Sequence, residues 1–450
     1  MKHTCAVAVG LAWACVRAHT SGVSAKLPRE IAARLLRQWE GGRERADALL
    51  ADALPTLPRR DRSLCQELVL GVIRWRAPLD WLIEQKTDGR RQPPAARLVL
   101  RLGLYQLFWL DRVPAHAAVD TAVQLARRLD LGRAAGFINA VLRACQRERD
   151  ALRDALQRLK TDDPALGHSH PAWLVRRWIA RWGADAAGRL LAWNNQPAPI
   201  HGRANTLRAD AAVLTARWRD EGVEHEPLEF PWTESVPIFR LQPPGSIADL
   251  PSFRDGLFYV QDASTLLAVH LLNPQPGEEV LDLCAAPGGK ATLIAQRIGG
   301  EGTVIACDAQ PRRLERLREN LARLGANCVE ARPVAALGGQ QMFDRVLADV
   351  PCSNTGVLRR RVDRRWRLRA EDLPPLVRQQ ADLLARAARC VRRGGVLVYS
   401  TCSLETEENV EVVAAFLQKH RAFELETARA LTPFADGVDG AYVARMRRTA

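Results

Sequence analysis

The stretch that decides the fold is Val280-Leu281-Asp282-Leu283-Cys284-Ala285-Ala286-Pro287-Gly288-Gly289-Lys290. A short apolar run passes into a turn of small residues and then into a helical pattern. Small residues at such a turn let a ligand approach the backbone at the carboxyl end of a first strand, where doubly wound folds bind nucleotides. The spacing is neither G-x-x-x-x-G-K-[ST] nor G-x-G-x-x-G, so phosphate cradling is not the expected use. Downstream, apolar strand-like runs at Glu279–Leu283, Thr303–Ala306, Arg345–Ala348 and Val396–Tyr399 alternate with helical stretches such as Arg312–Leu324 and Leu376–Val391. That alternation predicts a C-terminal α/β, Rossmann-like domain with a parallel sheet, set at residues 257–450.

Upstream the texture differs. From Pro28 to Arg153 the chain is rich in Leu, Ala and Arg, with apolar residues at helical spacing. Val119, Ala122, Val123, Ala126 and Leu129 fall on one face, with Gly132 as the expected stop, and similar stripes run through Leu64–Val72 and Leu98–Leu110. This predicts an all-α bundle over residues 28–165. Between the two, Trp, Pro and short mixed segments predict a small α+β connecting domain at 166–256. Residues 1–27 are expected to be a disordered leader. The run from Met1 to Val16 imitates a signal peptide, but no stretch approaches the roughly 18 to 20 apolar residues of a membrane span, so no membrane partner is expected.

Several side chains would meet at the rim of the predicted sheet. The second strand ends at Asp308, eighteen residues beyond Lys290, where a carboxylate can accept both ribose hydroxyls of an adenosine moiety. The next apolar run ends at Asp349, followed by Pro351-Cys352-Ser353, and the last ends in Thr401-Cys402-Ser403. A cysteine within a strand is usually inert packing, whereas one at this rim is a candidate nucleophile. Beside an adenosine site, cysteine has an economical use. Thiolate attack at carbon 6 of cytosine makes carbon 5 able to accept a methyl group, and Asp349 could hold the proton at ring N3 that favours addition. A base then takes the carbon-5 hydrogen and the thiol is eliminated. The target must leave its stack, so a looped or single-stranded cytosine is expected.

Asp282-Leu283-Cys284-Ala285-Ala286-Pro287-Gly288-Gly289-Lys290, Asp349-Val350-Pro351-Cys352-Ser353 and Ser400-Thr401-Cys402-Ser403 with Glu407-Glu408-Asn409 resemble the NOL1/NOP2/Sun family of RNA cytosine-C5 methyltransferases. The resemblance implies S-adenosyl-L-methionine as cofactor, held by Cys284, Ala285, Ala286, Pro287, Gly288, Gly289, Lys290, Asp308 and Asp349. It makes Cys402 the nucleophile and gives Cys352 a part in product release. Leu104-Tyr105-Gln106-Leu107, Val113 to Val119 and Gly136 to Arg143 look like the NusB-type RNA-binding fold. That order of domains is the layout of bacterial 16S rRNA methyltransferases, and Gln261-Asp262-Ala263-Ser264 also fits. The implied partner is 16S rRNA or a small-subunit assembly intermediate, met in the cytoplasm by a monomeric enzyme. Methylation of another RNA such as tRNA, and a non-catalytic NusB-like RNA-binding factor, are the alternatives. The pair Cys352 and Cys402 argues against the second, because a pure binding module has no use for it.

The sequence departs from the family pattern in three places. Glu330, nineteen residues before Asp349, stands at the spacing of an acidic residue, usually Asp, that contacts the adenine side of the cofactor. A loop that usually reads Arg-Arg-His-Pro-Asp is here Arg359-Arg360-Arg361-Val362-Asp363. An aromatic pair near the C-terminus is partly replaced by Ala441-Tyr442.

The formal charge of +14, from 65 Lys plus Arg against 51 Asp plus Glu, fits a polyanion binder. Seven of the eleven residues from Arg359 to Arg369 are arginines. Lying beside the catalytic strand, Arg359, Arg360, Arg361, Arg364, Arg365 and Trp366 are expected to contact RNA phosphates. The ten cysteines show no C-x-x-C pair and no zinc spacing, so neither a disulfide scaffold nor a metal is expected.

Overall fold

The computed structural model describes residues 27–42, 44–234, 236–338 and 341–450, in two units divided between Arg153 and Asp154. The expected leader lies outside the described residues except for Leu27, which begins the first helix. In the first unit the apolar stripes become helices. Ala115–Arg128 buries Val119, Ala122 and Ala126 of the expected face together with Ala118 and Leu125, while Val123 and Leu129 are half-buried. Gly132 is not its stop. The chain turns at Asp130, whose φ is 59°, and Gly132 opens the next helix, Gly132–Arg147. Pro94–Trp109 is buried over most of its length, and a Cβ on Gly71 of helix Arg59–Arg74 would lie 2.0 Å from the Tyr105 ring, so glycine lets these two helices approach. The buried Arg101 guanidinium pairs with Asp80 at 2.7 Å and also with Glu40.

The second unit contains two sheets. The smaller is antiparallel in the order β2-β3-β1-β4, with β1 Ile200–Ala204, β2 Glu224–Leu228, β3 Ile238–Gln242 and β4 Phe258–Val260. Its core gathers Trp218, Phe239 and Phe258. β4 falls beyond the expected boundary at 256, because the fully buried Phe258 and the pairing of β4 with β1 tie this segment to the small sheet.

The larger sheet runs β10-β11-β9-β8-β5-β6-β7. Its strands are β5 Glu279–Asp282, β6 Thr303–Asp308, β7 Val329–Pro333, β8 Phe343–Asp349, β9 Val391–Thr401, β10 Phe423–Leu431 and β11 Ala441–Arg448. β5 to β9 are parallel, and the final hairpin joins antiparallel through β11 against β9. Alternation along the strands feeds two cores: Val280, Val304, Ala306, Leu347 and Val398 on one face, Leu281, Ile305, Cys307, Val346 and Tyr399 on the other. The strand order reverses between β5 and β8. A crevice at that switch point, outside the carboxyl ends of the strands, is where such sheets bind ligands. Among the described residues no helix is long and apolar enough to cross a membrane, and no group of three or more His, Cys, Asp and Glu could hold a metal ion.

Candidate active site

β5 delivers Asp282 to the switch point, and the chain then turns through Cys284–Gly288 into helix Gly289–Arg297. Gly288 has φ 109° and a Cβ there would meet Leu317 at 2.8 Å, so the turn needs glycine twice over. Asp282 is fully buried, near the Cys284 backbone, yet neither carboxyl oxygen makes a hydrogen bond of ordinary geometry. Burial, reinforced by the neighbouring Asp349 carboxylate, pushes its carboxyl up to about 7. In the sequence its one signal is an acid ending an otherwise apolar strand.

Lys290, the second residue of that helix, donates from Nζ to Asp349 Oδ2 at 2.7 Å, linking the ends of β5 and β8. Burial alone would lower the ammonium, but Asp349 outweighs it and holds Lys290 above its ordinary value. At the end of β6, Asp308 is buried. Its Oδ1 accepts from the Gln310 backbone at 3.0 Å, and its Oδ2 lies 3.1 Å from Arg313 Nη1. Arg313, which sequence reading passed over, also donates to the Ala286 carbonyl at 2.5 Å and so ties the turn to β6.

Glu330 does not join them. It sits opposite Ile305 in mid-strand, exposed and paired with Arg332. The residue opposite Asp308 is Pro333, so Glu330 stops three residues, about 10 Å, short of the rim. Counting back from Asp349 misplaces it because the connection between β7 and β8 sets the spacing, and that connection is not strand.

The two cysteines do meet. Cys352 Sγ and Cys402 Sγ are 3.3 Å apart, and Cys402 Sγ lies 3.3 Å from Asn354 Oδ1. Cys352 is buried and Cys402 half-buried. The hydrogen bond with Cys402, followed by burial, holds the Cys352 thiol well above its ordinary value. The two loops carrying them are cross-linked: Gly356 N donates to the Cys402 carbonyl at 3.0 Å and Leu404 N to Thr355 Oγ1 at 2.9 Å. Helix Ala172–Asn195 grips the second loop from outside, through Arg177 to Glu405 at 2.6 Å and Trp178 Nε1 to Glu405 at 3.2 Å.

The arginine run largely turns inward, which corrects its expected use at three positions. Arg359 is buried and donates to Asp439 Oδ1 at 2.5 Å, with its guanidinium 4.0 Å from the Trp193 ring centroid. Arg360 reaches Asp439 Oδ2 at 2.5 Å and Asp262 Oδ2 at 2.6 Å. Arg365, fully buried, donates to the Ser169 and Asn194 carbonyls and to Asn195 Oδ1 at 2.7 to 3.2 Å. The buried guanidiniums of Arg359 and Arg365 are not available to phosphate, and the half-buried Arg360 is held between two buried carboxylates. A charge run reads as surface unless its acidic partners are recognised, and Asp262 and Asp439 are distant in sequence. Arg361, Arg364 and Trp366 are half-buried, and Arg364 Nε donates to the Ser353 carbonyl at 2.9 Å.

A doubly wound parallel sheet with a glycine turn at its switch point and two thiols on the same rim defines an enzyme domain of the Rossmann-like methyltransferase class. The comparisons go further: the sequence profile of 16S rRNA methyltransferase RsmB/F matches residues 269–446, that of the NusB family residues 26–147, and that of the RsmF/B-like ferredoxin-like domain residues 170–233. Ribosomal RNA small subunit methyltransferase B of Serratia proteamaculans is 35% identical over 93% of this chain and 98% of its own. The Bacillus subtilis protein described as a probable ribosomal RNA small subunit methyltransferase B is 34% identical over 88% and 89%. Among solved structures, PH0851 aligns with a TM-score of 0.75 at 24% identity over 93% of this chain and 98% of that one. A methyltransferase homolog from Pyrococcus horikoshii aligns with a TM-score of 0.55 at 30% identity over 64% and 98%. The chain belongs to the RsmB/F methyltransferase family.

Proposed function

We propose that this enzyme transfers the methyl group of S-adenosyl-L-methionine to carbon 5 of a cytosine in 16S rRNA, through a covalent bond between Cys402 and carbon 6. The observation that carries the reading is the 3.3 Å approach of the Cys352 and Cys402 sulfurs on the rim that also bears Asp349 and Lys290.

The residues fit the cofactor. Asp282 offers two buried oxygens without ordinary hydrogen bonds, complementary to an ammonium, and Asp308 ends β6 where ribose hydroxyls would lie. The turn Cys284 to Lys290 would hold the remainder. When bound, the cofactor supplies a methyl group on a sulfonium, open to attack by carbon.

The protein must make carbon 5 of the base a nucleophile. Cys402 adds as thiolate to carbon 6, while Asp349, fixed by Lys290, holds the proton at N3 that draws electrons out of the ring. Carbon 5 then takes the methyl group. Once a base has removed the carbon-5 proton, the carbon 6 to sulfur bond breaks and Cys402 leaves as thiolate. Cys352, held as a thiol, stabilises that sulfur by hydrogen bonding, which is its part in release. The base reaches the rim only when flipped from its stack, so an open segment of the rRNA or of an assembling small subunit in the cytoplasm is the substrate. The NusB-type unit and the half-buried Arg361, Arg364 and Trp366 are assigned to RNA contact. The test is methyl transfer from labelled cofactor to unmethylated small-subunit rRNA, with the product mapped by base. A product on tRNA alone would move the substrate, and none on any RNA would overturn the activity.

A further inference from the structure

Glu408 is fully buried in the short 3-10 turn Thr406–Glu408, and no cationic side chain pairs with it among the described residues. Four donors converge on its carboxyl group. Oε1 receives the Ser353 backbone N–H and Gln380 Nε2, each at 2.8 Å. Oε2 receives the Ser403 hydroxyl at 2.5 Å and the Ser353 hydroxyl. Ser353 and Ser403 each follow an active-site cysteine, and Gln380 Nε2 also donates to the Pro351 carbonyl at 2.9 Å, just before Cys352. The Glu408 backbone carbonyl in turn accepts from the buried Tyr399 hydroxyl at 2.6 Å. One carboxyl group therefore staples the loop after β8 to the loop after β9 at the residues next to the two sulfurs.

We propose that Glu408 is a positioning residue that assigns the two cysteines their separate roles. By pinning Ser353 and Ser403 it fixes the approach of the sulfurs, and so the hydrogen bond with Cys402 that, with burial, holds Cys352 as a thiol; the carboxylate behind Cys352 adds to that effect and leaves Cys402 as the sulfur that attacks. The other titratable groups facing the pair give the same asymmetry. Cys352 has the Tyr399 phenol and Glu408 near it, whereas Cys402 lies near the Lys290 ammonium, itself paired with Asp349. A buried carboxylate disfavours a second negative charge beside it. The inference rests on the proposed reaction, but its test needs neither RNA nor cofactor.

The full-length protein is alkylated with iodoacetamide from pH 6 to 10, and Cys352 and Cys402 are followed separately by peptide mass spectrometry. In the wild type, Cys402 reacts first and Cys352 only at high pH. In Glu408→Gln the Cys352 titration moves to lower pH, so its rate at a fixed intermediate pH rises about tenfold while the Cys402 rate is unchanged. Simple loosening of the loops would speed both thiols at every pH, and that result overturns the proposal. So does an unchanged Cys352 titration in a folded variant. Glu408→Asp, which keeps the carboxylate, restores the wild-type order. If Glu408→Gln does not fold, the proposal stands on Glu408→Asp keeping that order and falls if it inverts. Absence of RNA methylation with this thiol pattern intact would count against the proposed reaction alone.

Discussion

Asp282 makes the protein's stability depend on pH in a direction opposite to most carboxylates. Its folded value of about 7 lies above the roughly 4 of an unfolded aspartate. Its contribution is therefore fully present below about pH 4 and is lost as pH rises through 7. Without cofactor, the melting temperature should fall between pH 5 and 8, whereas Asp282→Asn should flatten that fall; the difference corresponds to at most about 4 kcal/mol. Saturating S-adenosyl-L-methionine should shrink it by supplying a cation. A wild type and Asp282→Asn with parallel pH profiles would show that the carboxyl is already satisfied. At the same scale, Cys352→Ser should leave attack by Cys402 intact and slow release, so a protein and RNA complex stable to denaturation should accumulate on gel electrophoresis. Its absence would remove Cys352 from the release step. The gathering of Cys402, Cys352, Asp349 and the 284–290 turn on one rim was legible because each ends or closely follows an apolar strand. Arg313 and Glu408 were not, because each depends in part on a partner distant in sequence, the Ala286 carbonyl for Arg313 and Ser353 and Gln380 for Glu408.

Between residue and molecule, the elements show where pattern reading works and where it fails. Apolar runs located β5, β6, β8 and β9 of the parallel sheet, since a strand buried on both faces must be continuously hydrophobic, but not the edge strand β7, most of whose residues are half-buried or exposed. Pattern reading could not place Glu330, because register depends on where a strand begins and not on counting from a motif. Nor could it see that Arg359, Arg360 and Arg365 are internal ties, since charge is exposed by default and buried only when paired. Arg365 gives that distinction a test. Its replacement by Ala strands two buried carbonyls and the half-buried Asn195 amide oxygen. A stability loss of roughly 2 to 4 kcal/mol by denaturant unfolding should follow, with the salt dependence of RNA binding unchanged. A stable variant with a shallower salt slope would return Arg365 to the phosphate contacts.

For the molecule as a whole, the charge of +14 and the NusB-type unit indicate an RNA partner, while the chemistry is confined to one rim of the seven-stranded sheet. The helical first unit was readable because its stripes keep a helical period over many turns. The small antiparallel sheet was readable only as mixed texture, since its strands are three to five residues long and paired across the chain. The central claim is that Cys402 is the covalent catalyst for methylation of a cytosine at carbon 5. The most direct measurement compares wild type with Cys402→Ala in methyl transfer from labelled S-adenosyl-L-methionine to unmethylated small-subunit rRNA, with the product mapped to base and atom and cofactor binding measured in parallel. The account predicts 5-methylcytosine from the wild type and none from Cys402→Ala, which still binds the cofactor. Full activity in Cys402→Ala, or a methyl group on any other atom, would contradict it.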